Sequence, residues 1–230
     1  QYSPNMFQSL RTNGQLGYTN RFKKGIFTTD LNVFIGTLSP SSGPGLDFYV
    51  QETDIYGAET TELNQLEISP MGFNFEIGYV HELSKLTNTK TTLYLGGSLE
   101  ESFNYTPGFV NIGTINYASF NANARFDYLL GNGKPIRFGL SVPLVSVVTR
   151  MPYHNAPNIP NKSAVAGFFM DNNNVETINH FQNLRLFAKY YWLVKKKCAF
   201  DISCEVSWLH YYKPEHLTQA GGQLSLGFTF

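Results

Sequence analysis

Large apolar residues recur at every second position of this chain, in one segment after another. Met71, Phe73, Phe75, Ile77 and Tyr79 alternate with Gly72, Asn74, Glu76 and Gly78. Leu93, Leu95 and Leu99 then stand against Tyr94, Gly96, Ser98 and Glu100. From Asn116 the pattern sharpens, with Ala118, Phe120, Ala122, Ala124 and Phe126 on one side and Ser119, Asn121, Asn123, Arg125 and Asp127 on the other. Successive side chains of a strand point to opposite faces, so a period of two marks strands with one apolar and one polar face. No stretch carries helical periodicity over the length a helix needs. The chain is expected to be all-β.

Turn signals join these segments. After Gly131-Asn-Gly-Lys134 come Ile136, Phe138, Leu140 and Val142, opposed by Arg137, Gly139 and Ser141; Asn-Gly between alternating runs is a strong hairpin signal. Leu184, Leu186, Ala188, Tyr190 and Trp192 oppose Arg185, Lys189 and Tyr191, and beyond Lys195-Lys-Lys197 the segment 198–212 opposes its apolar set with Asp201, Ser203, Glu205 and Ser207. Earlier strands are expected at residues 15–23, 26–38 and 46–54, where Leu31, Val33 and Ile35 alternate with Asp30, Asn32, Phe34 and Gly36. Together they describe one domain, residues 1–230, folded as a closed antiparallel up-and-down transmembrane β-barrel of about ten strands, within a range of about eight to twelve.

Alternation alone does not say which face is inside. A soluble up-and-down barrel such as a lipocalin places apolar side chains inside, and a membrane barrel inverts that. Charged residues make up 15% of the chain, against roughly 25% in ordinary soluble domains. Aromatics also reach 15%, with 14 Tyr and 19 Phe, so something other than water is expected to face much of the surface. No run of about twenty apolar residues is present, which leaves strands as the means of crossing a bilayer. Tyr79, Tyr128, Trp192, Trp208 and Tyr211 fall near segment ends, where interfacial aromatic girdles lie. The last eight residues, Gln223-Leu-Ser-Leu-Gly-Phe-Thr-Phe230, alternate to a terminal aromatic. They resemble the sorting signal of bacterial outer-membrane barrels, with Gln223, Phe228 and Phe230 in its positions and Ser225 where the signal has glycine. That resemblance implies the bacterial outer membrane.

Counting back from a periplasmic Phe230 places the connections at 195–197, 131–134, 84–89 and 39–45 on the periplasmic side, all short, and those at about 150–179 and 55–69 outside. An even strand number returns Gln1 to the periplasm. A chain beginning with Gln is also what cleavage of a secretory signal leaves.

The balance of 17 basic and 17 acidic residues lacks the clustered basic surface of nucleic-acid binders, so no nucleic-acid partner is expected. The inward faces would carry Asp30, Glu76, Glu100, Asp127, Asp201 and Glu205 with Arg125, Arg137, Arg185 and Lys189. Mixed signs suggest an internal salt-bridge network, because closely packed buried charges need partners, whereas a selective pore favours one sign. The five histidines are His81, His154, His180, His210 and His216. His154 with Ser163 and Asp171 matches no triad spacing, and His210, Glu215 and His216 read more simply as interfacial polar residues than as a metal site. Cys198 and Cys204 are separated by roughly 20 Å of strand, too far for a disulfide, and share the apolar face. No catalytic residue, cofactor-binding residue, metal site or cofactor is expected.

The loop at about 150–179 combines the proline-rich run Met151-Pro-Tyr-His-Asn-Ala-Pro-Asn-Ile-Pro160 with the apolar run Ala164-Val-Ala-Gly-Phe-Phe-Met170. A loop of that length is usually functional. It is expected to fold into the barrel mouth, to lie on the membrane, or to dock a partner through Tyr153, Phe168, Phe169 and Met170. In style, including the run Leu140-Ser-Val-Pro-Leu-Val-Ser146 and the Tyr/Asn-rich strands, the chain is similar to small outer-membrane proteins of Bacteroidota. That resemblance implies a subunit of a larger outer-membrane assembly. The expected function is a non-enzymatic accessory or scaffolding subunit whose partners are the lipid bilayer or lipopolysaccharide and other outer-membrane proteins. The alternatives are a narrow solute channel or ligand-binding barrel, and a lipid-acting outer-membrane enzyme.

Overall fold

The computed structural model describes residues 7–40, 47–53, 59–65, 69–83, 90–106, 113–131, 133–151, 161–170, 173–195 and 198–229. Its elements are β1 (Phe7–Arg21), β2 (Gly25–Pro40), β3 (Asp47–Thr53), β4 (Glu59–Gln65), β5 (Met71–Glu82), β6 (Thr91–Tyr105), β7 (Thr114–Leu129), β8 (Pro135–Met151), α1 (Ala164–Met170), β9 (Asn173–Thr177), β10 (Phe181–Lys195), β11 (Cys198–Tyr211) and β12 (Leu217–Thr229). Apart from the short α1, all of these are strands.

Nine strands follow one path, β1-β2-β5-β6-β7-β8-β10-β11-β12, each antiparallel to the next, and β9 pairs with β8 to make ten. Tight turns set this order. Phe22 N–H donates to the Gly25 carbonyl (2.8 Å), and Leu130 N–H to that of Lys134 (3.0 Å). In the second turn Gly133 has φ +76°, a left-handed backbone that glycine adopts without a Cβ clash. The sheet curls steeply. Arg185 on β10 reaches Glu76 on β5 at 2.9 Å, although a flat sheet would hold strands four steps apart at roughly 19 Å. The result is a half-barrel, and among the described residues no pairing joins β1 to β12.

Residues 46–54 were expected in the wall, and the structure corrects this. Of these, Asp47–Thr53 form β3, paired among the described residues with β4 alone in a separate two-stranded hairpin between β2 and β5 in sequence. Glu59-Thr-Thr-Glu-Leu-Asn-Gln65 offers a wall almost no apolar face, whereas pairing β2 to β5 sets Leu31 opposite Phe75, Val33 opposite Phe73 and Ile35 opposite Met71. The wall path is therefore odd in number. β1 and β12 run in the same sense, so Phe7 and Thr229 stand at opposite ends of the sheet. The passage from β2 to β5 leaves the wall at the same end as that from β8 to β10, as expected for residues 55–69 but not for residues 39–45, which were expected beside the end of β12.

The two faces are sharply different. The convex face carries Leu31, Val33, Phe73, Ile77, Phe120, Phe138, Leu186, Ile202 and Val206, all exposed, with Leu99 at 64% and Leu226 at 79%. The concave face buries Ser98, Asn121, Arg125, Ser141, Ser146 and Asp201, with Glu100 only 1% exposed. This is the inverse of a soluble barrel. Two irregularities keep the faces in phase. Leu144 is an extra residue between the Asn121–Pro143 and Phe120–Val145 pairs, so Leu144 and Val145 both lie outside and Ser146 and Val148 turn in. Pro143, which has no N–H to give a ladder, suits this bulge. Trp192 plays the same part in β10.

Candidate functional site

The chemistry-bearing side chains converge on the concave face, around Glu100. Inward positions of three different strands, β5, β7 and β10, supply its partners. Asn74 donates to Oε1 at 2.6 Å and Tyr117 to the same oxygen at 3.2 Å, while Asn121 and Arg185 donate to Oε2 at 2.7 and 2.9 Å. Arg185 shares its Nη2 between Glu100 and Glu76, at 2.9 Å each, and Asn183 donates to the Tyr117 hydroxyl at 3.0 Å. Each donor compensates for water removed from a buried carboxylate. Asp30 and Glu205 lie in the same electrostatic neighbourhood, Asp30 near Glu76, Lys189 and Arg185, and Glu205 near Arg185, Glu100 and Glu76. Gln15 donates to Asp30 at 3.5 Å.

A second cluster lies nearer the end where Gly131 turns. Asp127 accepts from Arg125 (2.5 Å) and Arg137 (3.2 Å), and Lys189 pairs with Asp201 (3.3 Å). The Arg125 and Arg137 guanidiniums stack over Tyr94 (5.1 Å) and Tyr191 (5.2 Å), an arrangement that offsets desolvation of the cations. Gly139 gives space beside them, since a Cβ there would fall 2.2 Å from the inward ring of Phe187. All ten charged residues singled out by alternation therefore lie on the concave side, and eight of them form ion pairs among the described residues.

Toward the other end the interior turns apolar. Ile115, Tyr117, Val148, Phe181, Leu209, Tyr211 and Leu217 form one buried cluster, with Tyr117 and Tyr211 both against Phe181, at 5.0 and 5.8 Å. Tyr211 was expected in an interfacial girdle, and the structure corrects this: it belongs to the buried plug. Continuing the alternation of β7 back to 115 and of β11 on to 211 would have placed these residues inside. Tyr79, Trp192 and Trp208 do face outward.

Above the plug, β9 takes the edge of β8 at Val145–Thr149, where β10 no longer pairs with it. The turn at 212–216 closes over this split. Arg150 donates to the carbonyls of Lys213 and Glu215. Lys213 pairs with the buried Glu176 at 2.8 Å, and His180 lies 3.1 Å from the same carboxylate. The hydrogen bond to Glu176 holds the Lys213 ammonium above the ordinary lysine range. A cavity of about 230 Å³ lies here, lined by Arg150, Asn174, Tyr211, Lys213 and Pro214. His180 is local to Glu176, four residues on, but Lys213 comes from a separate connection, so the sequence gives no sign of that pair.

The candidate docking residues separate. Phe168 is buried, edge-on to Phe103 at 6.3 Å; Phe103 pairs with Phe73 on the convex face, so that part of the loop packs against the outer side of the wall and the ring is not available to a partner. Phe169 and Met170 remain exposed, and Tyr153 lies outside the described residues. In the terminal motif Gln223 donates to Ser225 at 2.9 Å on the inner face, Phe228 lies outside, its ring tilted against that of Phe200 (4.8 Å), and Phe230 lies outside the described residues. Ser163 accepts from the Ala166 N–H at 3.2 Å, capping the start of α1, while His154 and Asp171 lie outside the described residues. His210 bonds Thr218 at 2.8 Å, with its ring 6.1 Å from that of His216. Among the described residues no three metal-ligating side chains converge. Cys198 and Cys204 are free thiols on the outer face. No protein-family model matches the chain, and neither does any curated protein or solved structure compared with it.

Proposed function

We propose that the chain is an integral outer-membrane β-barrel, closed in the bilayer, serving as a non-enzymatic accessory or scaffolding subunit of a larger outer-membrane complex. One observation carries this reading: apolar side chains cover the convex face while hydrogen-bonded charges fill the concave one. Contiguous exposed apolar patches on soluble monomers stay within a few hundred Å², and a wall of this kind instead suits lipid or lipopolysaccharide. Around eight to ten strands a barrel's interior is filled by side chains, and the Glu100–Arg185 network and the Phe181 plug fill this one, which counts against the solute channel. The exposed Phe169 and Met170 of α1, beside the outward Phe103, offer an apolar contact to another membrane protein. The end of β12 then faces the periplasm and the cap of α1 and β9 faces outward.

The test is gentle detergent extraction of the native membrane, pull-down on this chain and mass spectrometry of stoichiometric partners. A stable partner protein is the expected result. A chain that emerges alone, folded and heat-modifiable, contradicts the subunit reading and directs attention to conductance and lipid hydrolysis.

A further inference from the structure

We propose that the gap between β1 and β12 receives one extended segment of a partner subunit, antiparallel to both edges, with alternating apolar and polar residues and a lysine or arginine at a central inward position. This rests on the accessory-subunit reading above. Strand sense is the first argument. β1 and β12 run the same way, so one strand between them is antiparallel to each and brings the wall to an even number, the rule in bacterial single-chain barrels. Free edges in lipid leave backbone N–H and C=O groups without partners, which the hydrocarbon core does not supply.

Curvature excludes a second copy as the occupant. Two nine-strand walls joined edge to edge would form a wide ring, whereas Arg185 already bonds Glu76 and Glu100 across the concave face at 2.9 Å. That cross-trough reach belongs to one wall curling on itself, a curvature that two walls joined edge to edge would flatten.

Charge supplies the third argument. Asp30, Glu76, Glu100 and Glu205 share the central interior with Arg185, which bonds Glu76 and Glu100, while Lys189 bonds Asp201. Asp30 and Glu205 are left without an ion pair among the described residues. They stand opposite Gly17 of β1 and Gln223 of β12, each one strand in from a free edge. An inward cation on the inserted segment would meet both. On the outside, Leu16 (75% exposed) and Leu224 (74% exposed) match a segment with an alternating apolar face. Strand addition to an open edge takes affinity from main-chain hydrogen bonds and specificity from alternate side chains.

The experiment places photoreactive benzoylphenylalanine at Leu16 or at Leu224 of the full chain in native membranes. Irradiation is expected to link both positions to one partner polypeptide, with both links inside a single segment of roughly ten residues. Combining Asp30→Asn with Glu205→Gln is expected to lower the yield at least tenfold while the barrel stays heat-modifiable. Links between Leu16 and β12 of the same chain, or adducts to lipid alone, overturn the proposal. A partner that co-purifies but links only to the outer cap overturns strand insertion and leaves the subunit reading standing. Purification of the chain alone removes both.

Discussion

Replacing Arg185 with methionine removes the cation that bonds both Glu100 and Glu76, and keeps a side chain of similar length. Two charge-assisted hydrogen bonds disappear, at about 1.5–3 kcal/mol each, and two carboxylates stay inside the trough. Glu100 keeps Asn74, Tyr117 and Asn121, so the loss falls short of stranding a bare charge. The expected destabilisation is therefore about 3–5 kcal/mol, the range for removing one partner of a buried pair. Urea unfolding of the barrel in lipid vesicles, followed by tryptophan fluorescence, reads this out. At a slope of about 3 kcal/mol per molar, the midpoint falls by more than about 1 M. Adding Glu76→Gln and Glu100→Gln to Arg185→Met is expected to restore much of the loss, because a fully uncharged set needs no counter-ion. A loss below about 1 kcal/mol, or a triple variant no more stable than Arg185→Met, refutes the reasoning that pairing holds this interior together.

Three further outcomes follow from the geometry. Gly139→Ala is expected to cost about 1–3 kcal/mol by overpacking against the Phe187 ring, with Phe187→Leu recovering most of it in the same urea titration. Phe168→Ala removes the contact with Phe103 and is expected to raise the rate of trypsin cleavage at the exposed Lys162 several-fold while the barrel remains heat-modifiable. The Lys213 ammonium is held above the ordinary lysine range by Glu176. The contribution of its charged form is therefore complete below the ordinary lysine pKa and is lost as pH rises from there through the raised value. The protection of the β9 amides, their exchange relative to the intrinsic rate at each pH, is expected to hold from neutral pH up to the ordinary lysine pKa and to fall above it, and Lys213→Met should lower it at neutral pH.

Alternation made the wall legible. Every apolar and polar set read between 71 and 142 and between 184 and 208 lies on the face its parity gives, because a strand cannot turn one residue without turning its neighbours. Bulges break that rule, and nothing in the run around Pro143 or at Trp192 says on which side of the extra residue the phase changes. Strand count was less legible, since β3 has the local pattern of a wall strand, and only the apolar registry of β2 with β5 excludes it. The charged interior could be named residue by residue, but its pairing could not. Arg185 meets Glu100 across two intervening strands, a contact set by curl and shear and absent from any local spacing. The cap was illegible for the same reason, since Glu176, Lys213 and Arg150 are brought together by three separate segments.

The central claim is that the convex apolar wall faces lipid, and the chain's two tryptophans report on it directly. Trp192 and Trp208 both stand on that face, one toward each end of the sheet. The measurement is tryptophan fluorescence of the folded chain in vesicles whose lipids carry bromine in their acyl chains, against the same chain with aqueous iodide. The account predicts strong quenching by brominated lipid and little by iodide, for the native chain and for Trp192→Phe and Trp208→Phe separately. Quenching by iodide with none from brominated lipid would place the apolar wall in water and contradict it.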